Sequence, residues 1–102
     1  MTTQLKKGAL ELCVLFLLRR RDYYGFELLA AIPCEIEMSE GTVYPLLKRL
    51  RDDGLLTTYW EESSGGPPRK YYRISPKGRE TLTAMRGQWE IFSGAVNKLL
   101  NT

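Results

Sequence analysis

The chain has 102 residues, 26% of them charged, and a formal net charge of +3 at neutral pH. This length predicts one domain, and the mixed charges exclude a disordered tail. There is no histidine, and the two cysteines, Cys13 and Cys34, are not a set of metal ligands. We therefore expect no metal and no cofactor. Cys13 is predicted to be buried and Cys34 partly exposed; a disulfide is left open, although nothing indicates secretion.

The N-terminal region predicts an apolar helix over about Gln4–Arg20. Its middle is apolar nearly all round, so we expect it to be buried on several sides. Lys6 and Lys7 give the run a superficial likeness to a signal peptide, but Glu11 interrupts it and no cleavage pattern follows. The run is also too short to span a bilayer, so we expect no membrane contact and a cytoplasmic protein.

A second helix is predicted over about Tyr23–Ile32. Asp22 is suited to cap its start, and Pro33 after it predicts its end. Ile36 and Met38 then alternate with charged residues, which predicts a very short strand before the next helix.

Ser39 is a good N-cap for a third helix, and Gly54 predicts its end. Pro45 inside it lacks an N–H group, so we expect a slight bend or a loosened first turn. The apolar residues recur at i, i+3, i+4 and i+7: Val43, Leu46, Leu47 and Leu50. The polar front offers groups that can bind phosphates or base edges: Ser39, Thr42, Tyr44, Lys48 and Arg49.

A two-stranded ribbon is predicted after the third helix. Leu55–Glu61 favours a strand, residues 62–68 a Gly/Pro loop, and Arg69–Ile74 the return strand. Arg69 is predicted to face outward and to reach DNA, whereas Lys70 has the inward parity and would reach it only if the ladder frays. A helix that leads into a ribbon with a basic tip is typical of a winged helix-turn-helix, so double-stranded DNA is the first partner to consider.

The last helix is predicted over Pro76–Leu100, with Ser75 as its N-cap and a length of about 37 Å at 1.5 Å per residue. A heptad seam runs along it: Leu82, Met85, Trp89, Phe92, Val96 and Leu99. The helix is longer than the preceding domain can cover, so a second copy is the simplest partner. We therefore divide the chain into a DNA-binding domain, residues 1–75, and a dimerisation helix, residues 76–102. Gly87 and Gly94 lie opposite the seam, and the sequence predicts no role for them.

These segments resemble the PadR family of transcriptional regulators over almost the whole chain. The matching stretches are KGALELCVLFLL near the start, YGFELL at Tyr24–Leu29, GTVYPLLKRLRDDGLL at Gly41–Leu56, Trp60, and PPRKYYRISPKGRE at Pro67–Glu80. The single C-terminal helix is similar to the short subfamily. The resemblance implies a mainly α winged-helix homodimer with a small β-ribbon. It also implies a repressor of a palindromic operator, in which the C-terminal helix packs against the partner's N-terminal helix.

Trp89 is also a candidate ligand-binding residue. Some multidrug-binding PadR relatives carry Trp at the matching place, and the resemblance therefore implies a planar aromatic effector between two paired indoles. Met85, Phe92, Leu12 and Phe16 could complete an apolar wall around such a ligand. The alternative is that Trp89 only fills the dimer core, which its position in a heptad seam favours.

Two other functions stay open from the sequence. A winged-helix module that binds proteins but not DNA would keep the fold, yet it would not need the basic groups Lys48, Arg49, Arg69 and Lys70. An enzyme is disfavoured, because the sequence contains no histidine, no Gly-rich phosphate loop and no nucleophile elbow.

Overall fold

The computed structural model describes residues 8–102. These residues form four α-helices and a three-stranded antiparallel sheet of order β1-β3-β2. The elements in chain order are α1 (Ala9–Arg20), β1 (Tyr23–Tyr24), α2 (Gly25–Ala31), α3 (Glu40–Asp52), β2 (Leu56–Ser63), β3 (Gly66–Ile74) and α4 (Pro76–Leu100). The predicted mainly α winged helix-turn-helix with a long last helix is confirmed. Residues 4–7 of the first predicted helix lie outside the described residues.

A single hydrophobic core joins all four helices to the sheet. Leu15 of α1, Leu28 of α2 and Leu47 of α3 are fully buried at its centre. Leu82 of α4 belongs to the same core. One face of α1 is buried, whereas its other face, with Cys13 among its residues, is only partly buried. The burial predicted for α1 on several sides is thus absent from this single chain.

The second helix begins two residues later than predicted, because Tyr23 and Tyr24 form a strand. Tyr23 pairs with Tyr72 and Tyr24 with Tyr71, so β1 adds a third strand to the predicted ribbon. The prediction that Asp22 caps this helix is wrong. Tyr24 holds the N-cap position, and its backbone N–H donates a hydrogen bond to Glu27 Oε1 at 3.2 Å.

The short strand predicted at Ile36 and Met38 is also wrong. Cys34–Ile36 is one turn of 3-10 helix, in which the Ile36 N–H donates to the Pro33 carbonyl oxygen at 2.9 Å. Glu37 then adopts a left-handed conformation with φ of 56°, which breaks an extended chain.

Cys34 is exposed, and both cysteines are free. Burial raises the pKa of the Cys13 thiol.

Both predicted ends of α3 are confirmed. Ser39 is the N-cap residue, and the helix continues through Pro45 to Asp52. At the other end Gly54 has a φ of 78°, its N–H donates to the Arg51 carbonyl oxygen, and the Leu55 N–H donates to the Leu50 carbonyl oxygen, both at 2.9 Å. These two bonds form a Schellman motif, which satisfies the last carbonyl groups of the helix.

The wing is longer and its turn tighter than predicted. The ladder runs from Leu56 opposite Ile74 to Ser63 opposite Gly66, with one irregularity between Glu61 and Ser63. Most of the predicted loop over residues 62–68 is therefore strand, and only two residues form the turn. The two neighbouring prolines of β3 direct their backbone nitrogens to opposite edges of the strand. One edge is open because β1 pairs only with Tyr71 and Tyr72, and on the other the ladder with β2 is irregular at this point, so neither proline interrupts a regular pair.

The start of α4 is bonded directly to the end of α3. The Ser75 hydroxyl donates to the Gly54 carbonyl oxygen at 2.6 Å and accepts from the Gly78 N–H at 3.0 Å. The Ser75 N–H donates to the Leu55 carbonyl oxygen at 3.0 Å, and Lys77 Nζ donates to the Asp53 carbonyl oxygen at 2.9 Å. The predicted N-cap and the predicted bounds of α4 are thereby confirmed. We call these four hydrogen bonds the α3–α4 junction.

The heptad seam of α4 is buried only at its beginning. Leu82 is buried and Met85 packs against the core, whereas Trp89, Phe92 and Leu99 are 47%, 64% and 72% exposed. The seam residue Val96 is also exposed.

Among residues 8–102, no helix is both long and apolar enough to cross a bilayer. The division of the chain after residue 75 stays a prediction.

A side chain at residue 78 should destabilise the α3–α4 junction. A Cβ atom there would collide with the Leu55 carbonyl oxygen and lie 2.7 Å from Ile74 Cγ1. We expect Gly78→Ala to lower the free energy of unfolding by about 3 kcal/mol, because the clashing atom is backbone and cannot turn away. The measurement is urea denaturation followed by circular dichroism at a fixed protomer concentration.

Gly94→Ala is the matched control, since nothing lies within 4 Å of a Cβ atom at that position. This variant should be more stable than the wild type by roughly 1 kcal/mol, the difference in helix propensity. Equal stabilities of the two alanine variants would contradict the close packing at residue 78.

Candidate nucleic-acid interface

Two adjoining cavities separate α3 from the wing. One has a volume of about 310 Å³ and is lined by Tyr44, Lys48, Arg51, Lys70 and Tyr72. The other has a volume of about 350 Å³ and is lined by Tyr24, Gly25, Phe26, Tyr44, Arg69, Lys70 and Tyr72. Because Tyr44, Lys70 and Tyr72 belong to both, we treat the two cavities as one groove. Among the described residues, four cations and no carboxylate line this groove.

Tyr44 stands at the centre of the groove and is held by a glycine. A Cβ atom on Gly25 would lie 2.5 Å from Tyr44 Cε1 and 2.8 Å from its hydroxyl oxygen. The tyrosine ring therefore rests directly on the backbone at the start of α2. This contact explains why the YGF stretch places its glycine where a helix begins.

Lys70 reaches the groove without any fraying of the ladder. It stays paired with Trp60 in the sheet, and its side chain lies on the same face as Tyr72. Its Nζ is 5.8 Å from the centre of the Tyr72 ring. Beyond the core this inward face of β3 turns towards α3, so the inward parity brings Lys70 to the groove. Arg69 lies over the Tyr24 ring at 4.6 Å and lines the groove as well.

Of the DNA contacts predicted on α3, Tyr44 and Lys48 line the groove, whereas Ser39, Thr42 and Arg49 do not. Arg49 Nη2 is 3.2 Å from Glu11 Oε2 of α1, so its guanidinium turns to the flank that faces α1. The hydroxyl oxygens of Ser39 and Thr42 are 3.3 Å apart at the exposed start of the helix. Lys48 Nζ is 3.5 Å from Asp52 Oδ2 one turn later.

The structure adds groove residues that the sequence-based site did not include. Arg51, whose side chain is 39% exposed, follows Lys48 by three residues and Tyr44 by seven, so helical spacing could have identified it. Phe26 is an exposed aromatic residue outside the apolar stripe of α2. Trp60 is 68% exposed and lies on the same wing face as Lys70, although it does not line the groove.

A hydrogen-bonded cluster on the outer face fixes the orientation of the wing. The Asp22 carboxylate accepts hydrogen bonds from the Tyr59 hydroxyl at 2.6 Å and from Arg73 Nε at 3.1 Å. The bond to Asp22 raises the pKa of Tyr59 and also that of Arg73. Tyr59 in turn stacks on Tyr71 with 5.5 Å between ring centres. Asp22 therefore ties the beginning of β1 to both strands of the wing.

A separate apolar cavity of about 540 Å³ lies between α1, the end of α2 and α4. Leu12, Phe16 and Trp89, three of the five predicted ligand-binding residues, line it together. Met85 packs against the core instead, and Phe92 points away from the cavity into solvent. The other lining residues are Cys13, Leu17, Arg20, Ala31, Ile32, Pro33, Ile36, Arg86 and Glu90. We call this space the apolar cavity.

The described part of the chain offers no metal centre. Within residues 8–102, no three His, Cys, Asp or Glu side chains are grouped so that they could hold a metal ion.

The three helices, the wing and the basic groove between them define a winged helix-turn-helix protein with a long C-terminal helix. A family model described as the transcriptional regulator PadR-like family matches residues 14–84, more than half of the chain. The chain belongs to this PadR-like family of transcriptional regulators, which confirms the resemblance of its sequence.

Two solved structures of similar proteins carry the same family name, and a third relative matches most of the chain. The crystal structure of a PadR-like transcriptional regulator from Bacillus cereus is 38% identical, with a TM-score of 0.88 over 98% of this chain and 99% of the other. A PadR-like transcription factor from Bacteroides fragilis is 38% identical, with a TM-score of 0.79 over 95% of each chain. An uncharacterized protein of Lysinibacillus sphaericus is 30% identical over 87 residues, 81% of this chain and 80% of that protein.

The contact between Gly25 and Tyr44 can be tested by a double-mutant cycle. Gly25→Ala should lower the free energy of unfolding by about 1 kcal/mol, because the added methyl group overlaps the ring of Tyr44, which is partly exposed and must shift. Combining it with Tyr44→Ser should cost less than the sum of the two single changes, since the smaller side chain leaves room for the methyl group. Urea denaturation of the four proteins measures this coupling, and additive effects would contradict it.

Proposed function

We propose that the protein is a homodimeric transcriptional repressor that binds a palindromic operator in double-stranded DNA. The observation that carries this proposal is the groove between α3 and the wing, where Lys48, Arg51, Arg69 and Lys70 meet without a carboxylate among the described lining residues. Phosphate groups are the polyanions that such a groove fits. Membership of a family of transcriptional regulators supports the same partner. This function requires access to the chromosome, so we expect a cytoplasmic protein.

The two ends of the interface have different proposed roles. The polar front of α3 enters the major groove, where Lys48 and Arg49 can reach phosphates or guanine edges. Ser39 and Thr42 at the helix start suit a phosphate, because free backbone N–H groups also point there. In the wing, Arg69 is proposed to enter a narrow minor groove. The ion pairs of Lys48 and Arg49 are exposed and therefore weak, so DNA phosphates can replace their carboxylates.

The proposed dimer rests on apolar surface that one chain leaves uncovered. The exposed part of the seam, Trp89, Phe92, Val96 and Leu99, continues along α4 beyond the core. The partly buried face of α1 offers a second apolar surface, which includes Leu12 and Phe16. Exposed apolar patches of this kind mark protein interfaces. A second copy that places its α4 against α1 would cover both, and residues 76–102 would then act as the dimerisation helix.

The apolar cavity supports the effector proposed for this dimer. Its lining includes Trp89 and Phe16, whose rings suit a planar aromatic ligand. Helix α2 connects the cavity to the groove: Ala31 near its end lines the cavity, and Gly25 at its start contacts Tyr44. A ligand that moves α2 would therefore move the support of Tyr44, which gives a route from ligand binding to release of DNA.

The proposed DNA contacts predict the effect of removing single cations. Lys48→Ala and Arg69→Ala should each weaken binding to a duplex selected by the wild-type protein from a random pool. Each should also reduce the slope of log affinity against log salt concentration by about 0.9, the value for one lost phosphate contact. Fluorescence anisotropy at several salt concentrations measures both quantities. Lys98→Ala, which removes a charge from the far end of α4, is the control and should bind as the wild type does.

Unchanged affinity and unchanged salt slope in both variants would contradict the proposed interface. A wild-type protein that selects no duplex would favour a winged-helix module that binds other proteins instead. In the proposed dimer, the footprint on a selected duplex has two-fold symmetry, with the two recognition helices about 34 Å apart. An asymmetric footprint, or a monomer by light scattering, would contradict the dimer.

The effector proposal predicts quenching of Trp89 by planar dyes in the absence of DNA. The titration should use Trp60→Phe protein, because the exposed Trp60 would otherwise contribute to the emission. Stacking of a flat dye on the indole should quench the remaining fluorescence, and the same dye should lower affinity for the selected duplex. Phe16→Ala should weaken dye binding, since Phe16 lines the same cavity. Absence of quenching by neutral and cationic planar dyes would instead assign Trp89 to dimer packing.

A further inference from the structure

One half of the groove concentrates positive charge around two tyrosines. Tyr44 and Tyr72 lie there with Lys48, Arg51 and Lys70 around a space of about 310 Å³. Asp52 offsets part of this charge, because its carboxylate lies 3.5 Å from Lys48 Nζ and 3.8 Å from Arg51 Nη2. Three cations against one carboxylate leave this space positive. We call it the phosphate seat.

The donors of the phosphate seat are held in place by the fold. Lys70 lies over the ring of Tyr72, and the ring of Tyr44 rests on the backbone of Gly25. Burial raises the pKa of Tyr72, an effect that Tyr44 strengthens and Arg51 opposes. The Tyr72 hydroxyl therefore lies within electrostatic range of both side chains and stays a neutral O–H donor at physiological pH. Donors positioned in this way lose little conformational entropy when an anion binds.

We infer that the phosphate seat binds one phosphate group of the backbone of double-stranded DNA. Arg51 and Lys70 would supply the charge, and the hydroxyl groups of Tyr44 and Tyr72 would supply further hydrogen bonds. Charged N–H and neutral O–H donors in one site match the oxygens of a phosphodiester. The inference rests on the proposed DNA binding and extends it, since Arg51 and Tyr72 were not among the predicted contacts.

The shape of the groove favours a phosphate within a polymer over a free phosphate ion. The groove continues past Tyr44 into its second half, where Tyr24 and Phe26 offer rings and Arg69 another cation. Phosphates alternate with deoxyribose along a strand, and sugar faces pack well on aromatic rings. A strand that leaves the phosphate seat would therefore place its next sugar against Phe26 or Tyr24.

The test pairs one side chain with one phosphate. The DNA is the duplex selected by the wild-type protein, prepared as a series in which a neutral methylphosphonate replaces one backbone phosphate at a time. For the wild type, the methylphosphonate should weaken binding about tenfold at one symmetry-related pair of phosphates, which lies between the phosphates near α3 and those near the wing. For Arg51→Ala, binding of the unmodified duplex should be weaker, and the methylphosphonate at that position should have a smaller effect than in the wild type, because only Lys70 and the two hydroxyl groups still contact that phosphate. Arg51→Lys should restore part of the loss.

Lys98→Ala is again the control and should keep the wild-type pattern of sensitive phosphates. Because a phosphate carries no sequence information, Arg51→Ala should weaken binding to selected and random duplexes by the same factor. Wild-type binding together with an unchanged pattern in Arg51→Ala would overturn the phosphate seat and leave DNA binding intact. Failure of the wild type to bind any duplex would overturn both. An unchanged pattern of sensitive phosphates in Arg51→Ala, together with stabilisation of the DNA-free wild type by inorganic phosphate that Arg51→Ala lacks, would assign the site to free phosphate.

Discussion

The hydrogen bonds of the α3–α4 junction determine how the two long helices lie relative to each other. Ser75 caps α4 with its hydroxyl oxygen and donates the same hydroxyl to the Gly54 carbonyl, which belongs to the Schellman motif that ends α3. Gly78 lacks a side chain at the point where α4 touches the Leu55 carbonyl. Helix α3, the wing and α4 therefore diverge from one bonded point. In a dimer formed through α4, this junction would set the direction in which each α3 meets DNA.

A second constraint links the groove to the apolar cavity through a very short element. Helix α2 has seven residues, so its ends are only about 10 Å apart. Gly25 at one end supports Tyr44, Ala31 near the other lines the apolar cavity, and Leu28 between them is fully buried. A close-packed core resists local deformation, so a short helix anchored at its middle moves as a unit. One rigid element thus connects the apolar cavity to the groove, as the proposed release of DNA by a ligand would require.

Local signals allowed the sequence to predict some elements correctly, and tertiary pairing determined the rest. Gly54 and Ser75 act within one turn of helix, and their residue types alone predicted the end of α3 and the start of α4. Ser39 holds the predicted N-cap position of α3, although its side chain makes no capping hydrogen bond. Strand β1 has only two residues and exists because Tyr71 and Tyr72 pair with it. The residues of the groove were likewise predictable only where a local pattern identified them. Helical spacing identified Tyr44 and Lys48 and could have identified Arg51, whereas Phe26 entered through the packing of α2 beside the wing.

The described cations of the wing differ in whether a carboxylate or only an aromatic ring holds them, and this difference distinguishes the groove better than the net charge does. Arg73 lies over the ring of Tyr59 but directs its N–H groups to Asp22, so those donors are used in holding the fold together. Arg69 and Lys70 instead lie over the rings of Tyr24 and Tyr72. A ring contact orients a cation but leaves its N–H edges available for an anion. The groove therefore holds cations whose positions are fixed and whose N–H groups are available, which is what the proposed contact with a phosphate backbone requires.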